Sequence, residues 1–363
     1  MEKEYAMKQI SIMIKPASSS CNMRCDYCFY LDESKHRAVT SHGIMQEETV
    51  VTICHRINEA LFPKGIANIS FQGGEPTLAP LSLFKLFVEE MKKYPAIETR
   101  YSLQTNGMRM NEEWVEFLRS HRFLVGVSLD GEQKNNDQCR RDVNNESVYQ
   151  RVLDTIALLR KKRVEFNVLT VVTKMVARHP EELYQFFRNH CFQYVQLIPC
   201  LPGVGGREST YAMPIKEYAC FFNAFFDCWL KGTMEGYPMS VNLFDNVYSL
   251  IHGGYPYQCG MMGVCPIQFV VEANGDVFPC DFYCLDDYRM GNVKDMSLLE
   301  LARSAPATKM RSRICMKKPC KTCEYARICH GGCQRQNVCY LGEETCGYQE
   351  VLDHIVPILS RMQ

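Results

Sequence analysis

The chain has 363 residues, 46% of them hydrophobic, and its 41 Lys and Arg side chains balance its 41 Asp and Glu side chains. This balance leaves no overall field to gather nucleic acid or anionic membrane, and no stretch approaches the roughly 18 apolar residues of a membrane span. Twenty cysteines without a secretory signal favour metal or cluster ligation over a disulfide framework. We therefore expect a cytoplasmic protein that binds neither nucleic acid nor membrane.

The N-terminal part of the chain alternates strand and helix patterns. Six β-branched or aromatic runs predict strands over residues 10–14, 67–72, 99–104, 123–129, 164–173 and 194–199. Amphipathic segments between them predict helices over residues 46–61, 81–93, 111–120, 147–162 and 180–189. Strands separated by helices pair in parallel with right-handed connections, so the pattern predicts an α/β fold, either an open barrel or a doubly wound sheet. Both folds bind ligands at the carboxyl ends of the strands.

Polar or glycine-rich motifs directly follow the first four predicted strands. A cysteine triplet follows the first, GGEP (73–76) the second, TNG (105–107) the third and DG (130–131) the fourth. Taken singly, TNG and DG are ordinary turn residues. Because all four motifs would share one rim of the sheet, their joint placement predicts a ligand site there.

The composition changes in the C-terminal third of the chain. Residues 200–215 form a Gly- and Pro-rich break before a predicted helix over 215–231. We place the domain boundary near residue 235, with a first domain over 1–235 and a cysteine-rich second domain over 236–363 that ends in a helix. Within the second domain, the NG pair in the segment 268–280 predicts a hairpin turn.

The first cysteine set is Cys21, Cys25 and Cys28, spaced C-x3-C-x2-C. No second Cys or His pair lies at zinc-finger distance. An iron-sulfur cube usually takes four thiolates, so three leave one iron open to another ligand. Three buried apolar thiols are the alternative, but the spacing and the neighbouring aromatics favour a cluster.

This triplet, with Tyr27 before its last cysteine, resembles the signature of radical S-adenosylmethionine (SAM) enzymes. The resemblance implies a partial (β/α)6 radical-SAM barrel in which the open iron of a 4Fe-4S cluster binds SAM, whose reductive cleavage releases a 5′-deoxyadenosyl radical. GGEP resembles the second motif of the family, and this implies that Gly73, Gly74 and Glu75 hold the methionine amino group. Looser matches add three further cofactor contacts: Ser128, Arg140 and Leu201. A packing role for Leu201 remains equally open.

The second cysteine set lies in the C-terminal domain and provides eight candidate ligands. They are Cys259, Cys265, Cys280, Cys320, Cys323, Cys329, Cys333 and Cys346. Spacing alone allows either two cubes or two structural zinc sites. Their order resembles the SPASM twin-cluster extension of radical enzymes that modify peptides. That resemblance implies an interleaved assignment, with Cys259, Cys265, Cys280 and Cys333 on one auxiliary 4Fe-4S cluster and Cys320, Cys323, Cys329 and Cys346 on the other.

The other cysteines show no ligand spacing, and we expect most of them to be buried apolar side chains. They are Cys54, Cys139, Cys191, Cys200, Cys220, Cys228, Cys284, Cys315 and Cys339.

Four longer motifs, KPASSSCNMRCDYCFY, FQGGEPTLA, SLQTNG and PCDFY, are similar to those of the anaerobic sulfatase-maturating enzymes. The similarity covers nearly the whole chain. It implies oxidation of a Cys or Ser, within a C/S-x-P-x-R segment of a sulfatase, to formylglycine. It also implies an electron donor such as flavodoxin or ferredoxin, and Asp281 as the general base, although by itself Asp281 would be read as a solvated loop acid. Glu132 stands where relatives usually carry proline after SLDG, so the following loop departs from the pattern.

Two other functions remain compatible with the residues. A radical maturase that forms a thioether or carbon-carbon crosslink in a ribosomal peptide would use the same clusters. A zinc-stabilised peptide-binding module without turnover would use the C-terminal cysteines alone.

Overall fold

The computed structural model describes residues 7–312 and 316–362. Ten strands form one sheet: β1 Gln9–Ile14, β2 Gly65–Phe71, β3 Ile97–Thr105, β4 Leu124–Ser128, β5 Phe166–Val172, β6 Tyr194–Pro199, β7 Ser240–Val241, β8 Val270–Val271, β9 Asp276–Phe278 and β10 Gly291–Asn292. Within these residues the strand order is β10-β9-β8-β1-β2-β3-β4-β5-β6-β7, with β10 and β7 at the edges. Strands β1 to β7 pair in parallel, so their carboxyl ends lie on one rim. All six strands predicted in the N-terminal part are confirmed.

Fourteen α-helices accompany the sheet in the described part of the chain. They are α1 Phe29–Ser34, α2 Glu47–Leu61, α3 Leu81–Lys92, α4 Glu112–Ser120, α5 Gln133–Cys139, α6 Tyr149–Lys161, α7 Pro180–Asn189, α8 Ile215–Met234, α9 Asn242–Ile251, α10 Leu298–Arg303, α11 Ala305–Arg311, α12 Lys318–Lys321, α13 Ala326–Cys329 and α14 Gly347–Leu359. The five predicted connecting helices are confirmed as α2, α3, α4, α6 and α7, and the predicted helix over 215–231 as α8. Helix α5, in the segment that departs from the family pattern, was not predicted.

The barrel core is built from apolar side chains between the sheet and its helices. Phe71 at the end of β2 is fully buried, and its ring lies 4.8 Å from that of Phe84 and 5.1 Å from that of Phe87, both on α3. Burying a side chain of this size contributes about 1.5–3 kcal/mol. This packing fixes where β2 ends and therefore where the motif after it begins.

The predicted hairpin is formed by β8 and β9, which pair antiparallel. Its first strand also pairs in parallel with β1, with Met13 opposite Val270 and Ile14 opposite Val271. The hairpin therefore extends the sheet of the first domain, and the boundary near residue 235 remains a prediction. Within the described ranges, no helix is both long and apolar enough to cross a membrane.

Five cysteines outside the predicted ligand sets are buried, as expected: Cys54, Cys139, Cys200, Cys284 and Cys339. Cys191 and Cys220 are exposed, and Cys228 is half-buried. Cys315 lies outside the described residues.

Candidate active site

The cysteine triplet occupies the loop between β1 and α1, at the carboxyl rim of the sheet. Cys28 precedes the first residue of α1, and Cys21 accepts hydrogen bonds from the backbone N–H of Met23 at 3.4 Å and from Asn106 Nδ2 at 3.7 Å. Asn106 belongs to the TNG turn after β3. The first and third motifs of the predicted rim are therefore in direct contact.

The glycine turn after β2 packs on the backbone that leads into the triplet. The Gly74 N–H donates to the Ser18 carbonyl at 3.0 Å, and the Glu75 N–H donates to the Ser20 carbonyl at 2.8 Å. A Cβ atom on Gly74 would lie 2.1 Å from the Ser20 carbonyl oxygen, and Gly73 has a φ of +129°. Glycine is therefore required at both positions, for close approach at one and for conformation at the other.

Glu75 joins the glycine turn to the TNG turn. Its Oε1 accepts from Thr77, including its hydroxyl at 2.5 Å, and from the Thr105 hydroxyl at 2.8 Å, while Oε2 accepts from the Asn106 N–H at 2.7 Å. Burial raises the pKa of Glu75, and these hydrogen bonds oppose the rise. The carboxylate thus braces two rim turns, whereas its contact with the SAM amino group remains a prediction.

Helix α5 positions Arg140 beside the triplet. Arg140 is buried and donates through Nη1 to the Tyr27 hydroxyl at 3.1 Å, and that hydroxyl donates to Asp130 in the DG turn. The backbone of the same segment also holds the cysteine loop, because the Asp26 N–H donates to the Cys139 carbonyl at 3.1 Å. Within the described residues, Arg140 Nε has no hydrogen-bond partner. Two predicted cofactor residues, Tyr27 and Arg140, therefore meet at the triplet.

Ser128 ends its strand and Leu201 follows its strand, both on the same rim farther along the sheet. The Ser128 hydroxyl, at the end of β4, accepts from Gln104 Nε2 at 3.0 Å. Leu201, after β6, is half-buried and packs against the main core. Their contacts with the nucleoside remain predictions.

Asp281 lies on the rim next to α1 and is not the solvated loop acid that its sequence position alone would predict. It is 6% exposed, and its Oδ2 accepts from the Tyr30 hydroxyl at 2.5 Å and from Gln72 Nε2 at 3.3 Å. Gln72 also donates to the Tyr30 hydroxyl at 2.6 Å. Across the described part of the chain, Asp281 Oδ1 has no hydrogen-bond partner. Burial raises the pKa of this carboxyl, while Lys15 and the Tyr30 hydroxyl lower it.

The eight C-terminal cysteines gather in two groups. Cys333 lies close enough to Cys259, Cys265 and Cys280 for their thiolate charges to interact, and a Cβ atom on Gly260 would lie 3.1 Å from Cys333 Cβ. The other four line one small apolar pocket: Cys320, Cys323, Cys329 and Cys346. The groups have the same membership as the interleaved sets that the SPASM resemblance implies.

The donor sets fit iron-sulfur cubes. The triplet thiols lie near one another in the loop between β1 and α1, and each C-terminal group brings four thiols together. Ligands of a cube bind different iron atoms of one cluster. One set of three thiols and two sets of four match one open cluster and two closed clusters.

Comparison with known families agrees with this geometry. Residues 16–187 match the radical SAM superfamily, and residues 264–324 match the iron-sulfur cluster-binding domain SPASM. A cysteine-type anaerobic sulfatase-maturating enzyme from Clostridium novyi (strain NT) is 39% identical over 335 residues, covering 91% of this chain and 89% of that protein. The chain belongs to the anaerobic sulfatase-maturating enzymes. It is a radical SAM enzyme, and its cofactors are SAM and 4Fe-4S clusters.

More distant and structural relatives of this sulfatase-maturating enzyme extend the comparison. A serine-type anaerobic sulfatase-maturating enzyme from Bacteroides thetaiotaomicron is 28% identical, covering 98% of this chain and 92% of that protein. The solved structure of native anSMEcpe with bound AdoMet and the Kp18Cys peptide matches with a TM-score of 0.88 at 36% identity, covering 97% of this chain and 98% of that chain. The predicted fold, a partial radical-SAM barrel with a cysteine-rich extension, is confirmed.

A buried ionic cluster beside Asp281 in this sulfatase-maturating enzyme was missed by sequence reasoning. Glu272 Oε1 lies 2.5 Å from Arg37 Nη1 and 3.5 Å from Lys15 Nζ, and all three side chains are at most 3% exposed. Lys15 also lies 4.9 Å from the Tyr30 ring centroid. Burial opposes the charge on Lys15, but surrounding anionic groups, Glu272 and Asp281 among them, raise its pKa.

Glu33 adds a third carboxyl to this neighbourhood. It is 3% exposed, and within the described residues neither of its carboxyl oxygens has a hydrogen-bond partner. The sequence signal for these groups was weak, because Lys, Arg and Glu ordinarily predict exposed positions. Tyr30 and Gln72 had a clearer sequence signal, because they lie inside the motifs KPASSSCNMRCDYCFY and FQGGEPTLA.

Proposed function

We propose that this enzyme oxidises an active-site Cys or Ser of a sulfatase to formylglycine, with Asp281 as the general base. The observation that carries the proposal is the Asp281 carboxylate, which follows Cys280. Tyr30 and Gln72 hold one of its oxygens, and its other oxygen is buried without a partner among the described residues. A buried acceptor with unused capacity costs stability unless a ligand supplies a donor. A substrate thiol or hydroxyl is a donor of this kind.

The cofactor site in this proposal consists of the triplet with Gly73, Gly74, Glu75 and the Arg140 group. When bound there, SAM supplies a 5′-deoxyadenosyl radical, an oxidant strong enough to remove a hydrogen atom from a substrate Cβ. Arg140 carries a buried positive charge and an Nε donor that has no partner within residues 7–312 and 316–362, and both features suit a carboxylate ligand. The glycine turn packs on the backbone that leads into the triplet, so its own backbone groups border the proposed site.

Asp281 then accepts the proton that the substrate thiol or hydroxyl loses. Its position is fixed before substrate arrives, because the Tyr30 hydroxyl and the Gln72 amide hold Oδ2, while Oδ1 has no partner in the described part of the chain. Preorganised placement of a base contributes about 10²–10⁴-fold to rate. The eight C-terminal cysteines would hold auxiliary clusters, which accept single electrons.

The proposal includes a peptide segment of the C/S-x-P-x-R type as substrate and a flavodoxin or ferredoxin as electron donor. The 39% identity with a cysteine-type relative, against 28% with a serine-type relative, favours the Cys reaction. The Kp18Cys peptide bound by anSMEcpe supports a peptide substrate.

The test is an anaerobic assay of Asp281→Asn with a Cys-containing peptide of this type. We expect SAM cleavage to deoxyadenosine to continue while aldehyde formation falls at least 10²-fold, because the variant keeps the shape of the side chain and loses its basicity. Asp287→Asn is the matched control, since this exposed acid lies on the same segment. Full product yield from Asp281→Asn would remove the base assignment.

The same assay separates the proposed reaction from crosslink formation. Formylglycine from Cys requires loss of two hydrogens and exchange of sulfur for oxygen, whereas a crosslink loses two hydrogens and keeps sulfur. Mass spectrometry of the peptide distinguishes them, and retention of sulfur in the main product would overturn the proposed function.

A further inference from the structure

Two of the candidate cluster thiolates accept hydrogen bonds from side-chain amides. Asn106 Nδ2 lies 3.7 Å from Cys21 Sγ, and Gln334 Nε2 lies 3.8 Å from Cys265 Sγ. Asn106 belongs to the TNG motif that the proposed function already uses. Gln334 belongs to no motif identified in the sequence, and nothing in the proposed reaction requires it.

The backbone on both sides of Gln334 is fixed. Cys333, one residue before it, packs against Gly260, where a Cβ atom would lie 3.2 Å from the Cys333 nitrogen. Arg335, one residue after it, donates through Nη2 to the Pro202 carbonyl at 2.6 Å. The Gln334 amide is therefore presented to Cys265 from a segment anchored to the barrel loop and to the cysteine group itself.

Cys265 is poor in other stabilising contacts. Cys21 of the triplet, in contrast, accepts from both the Met23 backbone N–H and the Asn106 amide. Within the described residues, the Gln334 amide is the one side-chain donor that reaches the Cys265 sulfur. A hydrogen bond to a cluster sulfur stabilises the reduced form, which carries one more negative charge, and so raises the reduction potential.

We propose that Gln334 is a positioning residue that holds the reduction potential of the auxiliary cluster next to Asp281 above the value that its cysteines alone would give. The observation that supports this proposal is the hydrogen bond from the Gln334 amide to the Cys265 sulfur. Cys265 belongs to the same cysteine group as Cys280, and Cys280 directly precedes Asp281. Gln334 thereby tunes the cluster closest along the chain to the proposed base. The inference depends on the cluster assignment of the proposed function but on no step of the reaction.

The test is a redox titration of the reconstituted full-length chain, monitored by electron paramagnetic resonance. Replacing Cys21, Cys25 and Cys28 together with Ala removes the proposed SAM-binding cluster, so that the signals arise from the two auxiliary clusters. In this background we compare Gln334→Leu and Gln334→Glu with the unsubstituted residue. Gln336→Leu is the control, because Gln336 is also half-buried and lies two residues along the same segment.

We expect one of the two potentials to become more negative in Gln334→Leu, because the donor is lost, while the other stays unchanged. Gln334→Glu should move the same potential further, because a carboxylate accepts instead of donating and adds negative charge. The control should move neither. Unchanged potentials in a fully iron-loaded Gln334→Leu chain would overturn the inference, as would an equal shift in Gln336→Leu.

Iron content separates the remaining outcomes. If Gln334→Leu loads less iron, the comparison uses Gln334→Glu, which preserves size and polarity. Loss of one cluster from both variants but not from the control would also overturn the inference, because Gln334 would then support cluster binding and not its potential. An unsubstituted chain without iron at these cysteines would instead refute the cluster assignment in the proposed function.

Discussion

Glu33 should make the stability of this enzyme fall with rising pH. The pKa of Glu33 is raised to about 8 from a usual value of 4.5, because burial and the nearby Asp281 raise it more than Lys15, Arg37 and Arg335 lower it. The folded chain therefore binds this proton more tightly than the unfolded chain does. It follows that the Glu33 contribution to the free energy of unfolding is unimpaired below about pH 4.5 and declines as the pH rises toward 8.

The magnitude follows from the distance between the two pKa values. Between them, each pH unit lowers the free energy of unfolding by about 1.4 kcal/mol. Glu33→Gln keeps the shape of the protonated side chain and removes the titration. The difference in free energy of unfolding between the variant and wild type should therefore grow, in favour of the variant, by about 2 kcal/mol between about pH 6 and about pH 7.5. This change corresponds to a few degrees in Tm.

The assay is thermal unfolding of anaerobic, cluster-loaded protein at both pH values. Glu165→Gln is the control, because Glu165 is exposed on the opposite end of the sheet, just before β5. A Tm difference between Glu33→Gln and wild type that stays constant across this pH range would refute the reasoning. So would an equal pH dependence in Glu165→Gln.

Three further predictions concern the cofactor cradle, an auxiliary cluster and the core. Gly74→Ala should weaken SAM binding at least tenfold in an anaerobic equilibrium measurement, because its Cβ would lie 2.1 Å from the Ser20 carbonyl oxygen. Cys346→Ser should lower the iron content by about four of about twelve atoms per chain, because one cube loses a ligand. Phe71→Ala should destabilise the fold by about 3–5 kcal/mol in denaturant unfolding, since the fully buried ring leaves a cavity.

Each of these predictions has a matched control. Gly342→Ala should bind SAM normally, because the nearest atom to its Cβ would be the Thr345 carbonyl oxygen at 3.4 Å, an ordinary van der Waals distance. Cys220→Ser changes an exposed thiol and should keep the full iron content. Tyr194→Ala removes a ring that is 58% exposed and should change stability little. Unaltered SAM affinity, iron content or stability in the three test variants would contradict the corresponding structural argument.

The sequence predicted the features whose signals are local. The cysteine triplet, GGEP and TNG each lie within a few residues of a strand end, so strand periodicity alone was enough to bring them to one rim. The parallel sheet followed from the same periodicity. The spacing of the cysteines identified neither the metal nor which cysteines share a cluster. The family resemblance implied both.

The features that sequence reasoning missed depend on tertiary contacts. Helix α5 contains two Asn residues with weak helix propensity, and both are buried; the Asn136 side chain accepts from the Asp130 N–H at 3.3 Å. The hairpin itself was predicted, but the parallel pairing of its first strand, β8, with β1 was not, because it joins distant parts of the chain. Lys15 is buried beside Glu272, which comes from a distant part of the chain, so no local sequence signal could indicate its burial.

The contact between Tyr30 and Asp281 joins positions 251 residues apart. Contacts of such long sequence separation form late, because a large loop must close first. Asp281 follows the β8–β9 hairpin and directly succeeds Cys280, whose group is completed only by Cys333, farther along the chain. Iron starvation should consequently leave a chain whose sheet is formed by apolar packing while all three cysteine groups stay empty, an inactive protein whose defect would not be visible in the amount of barrel formed.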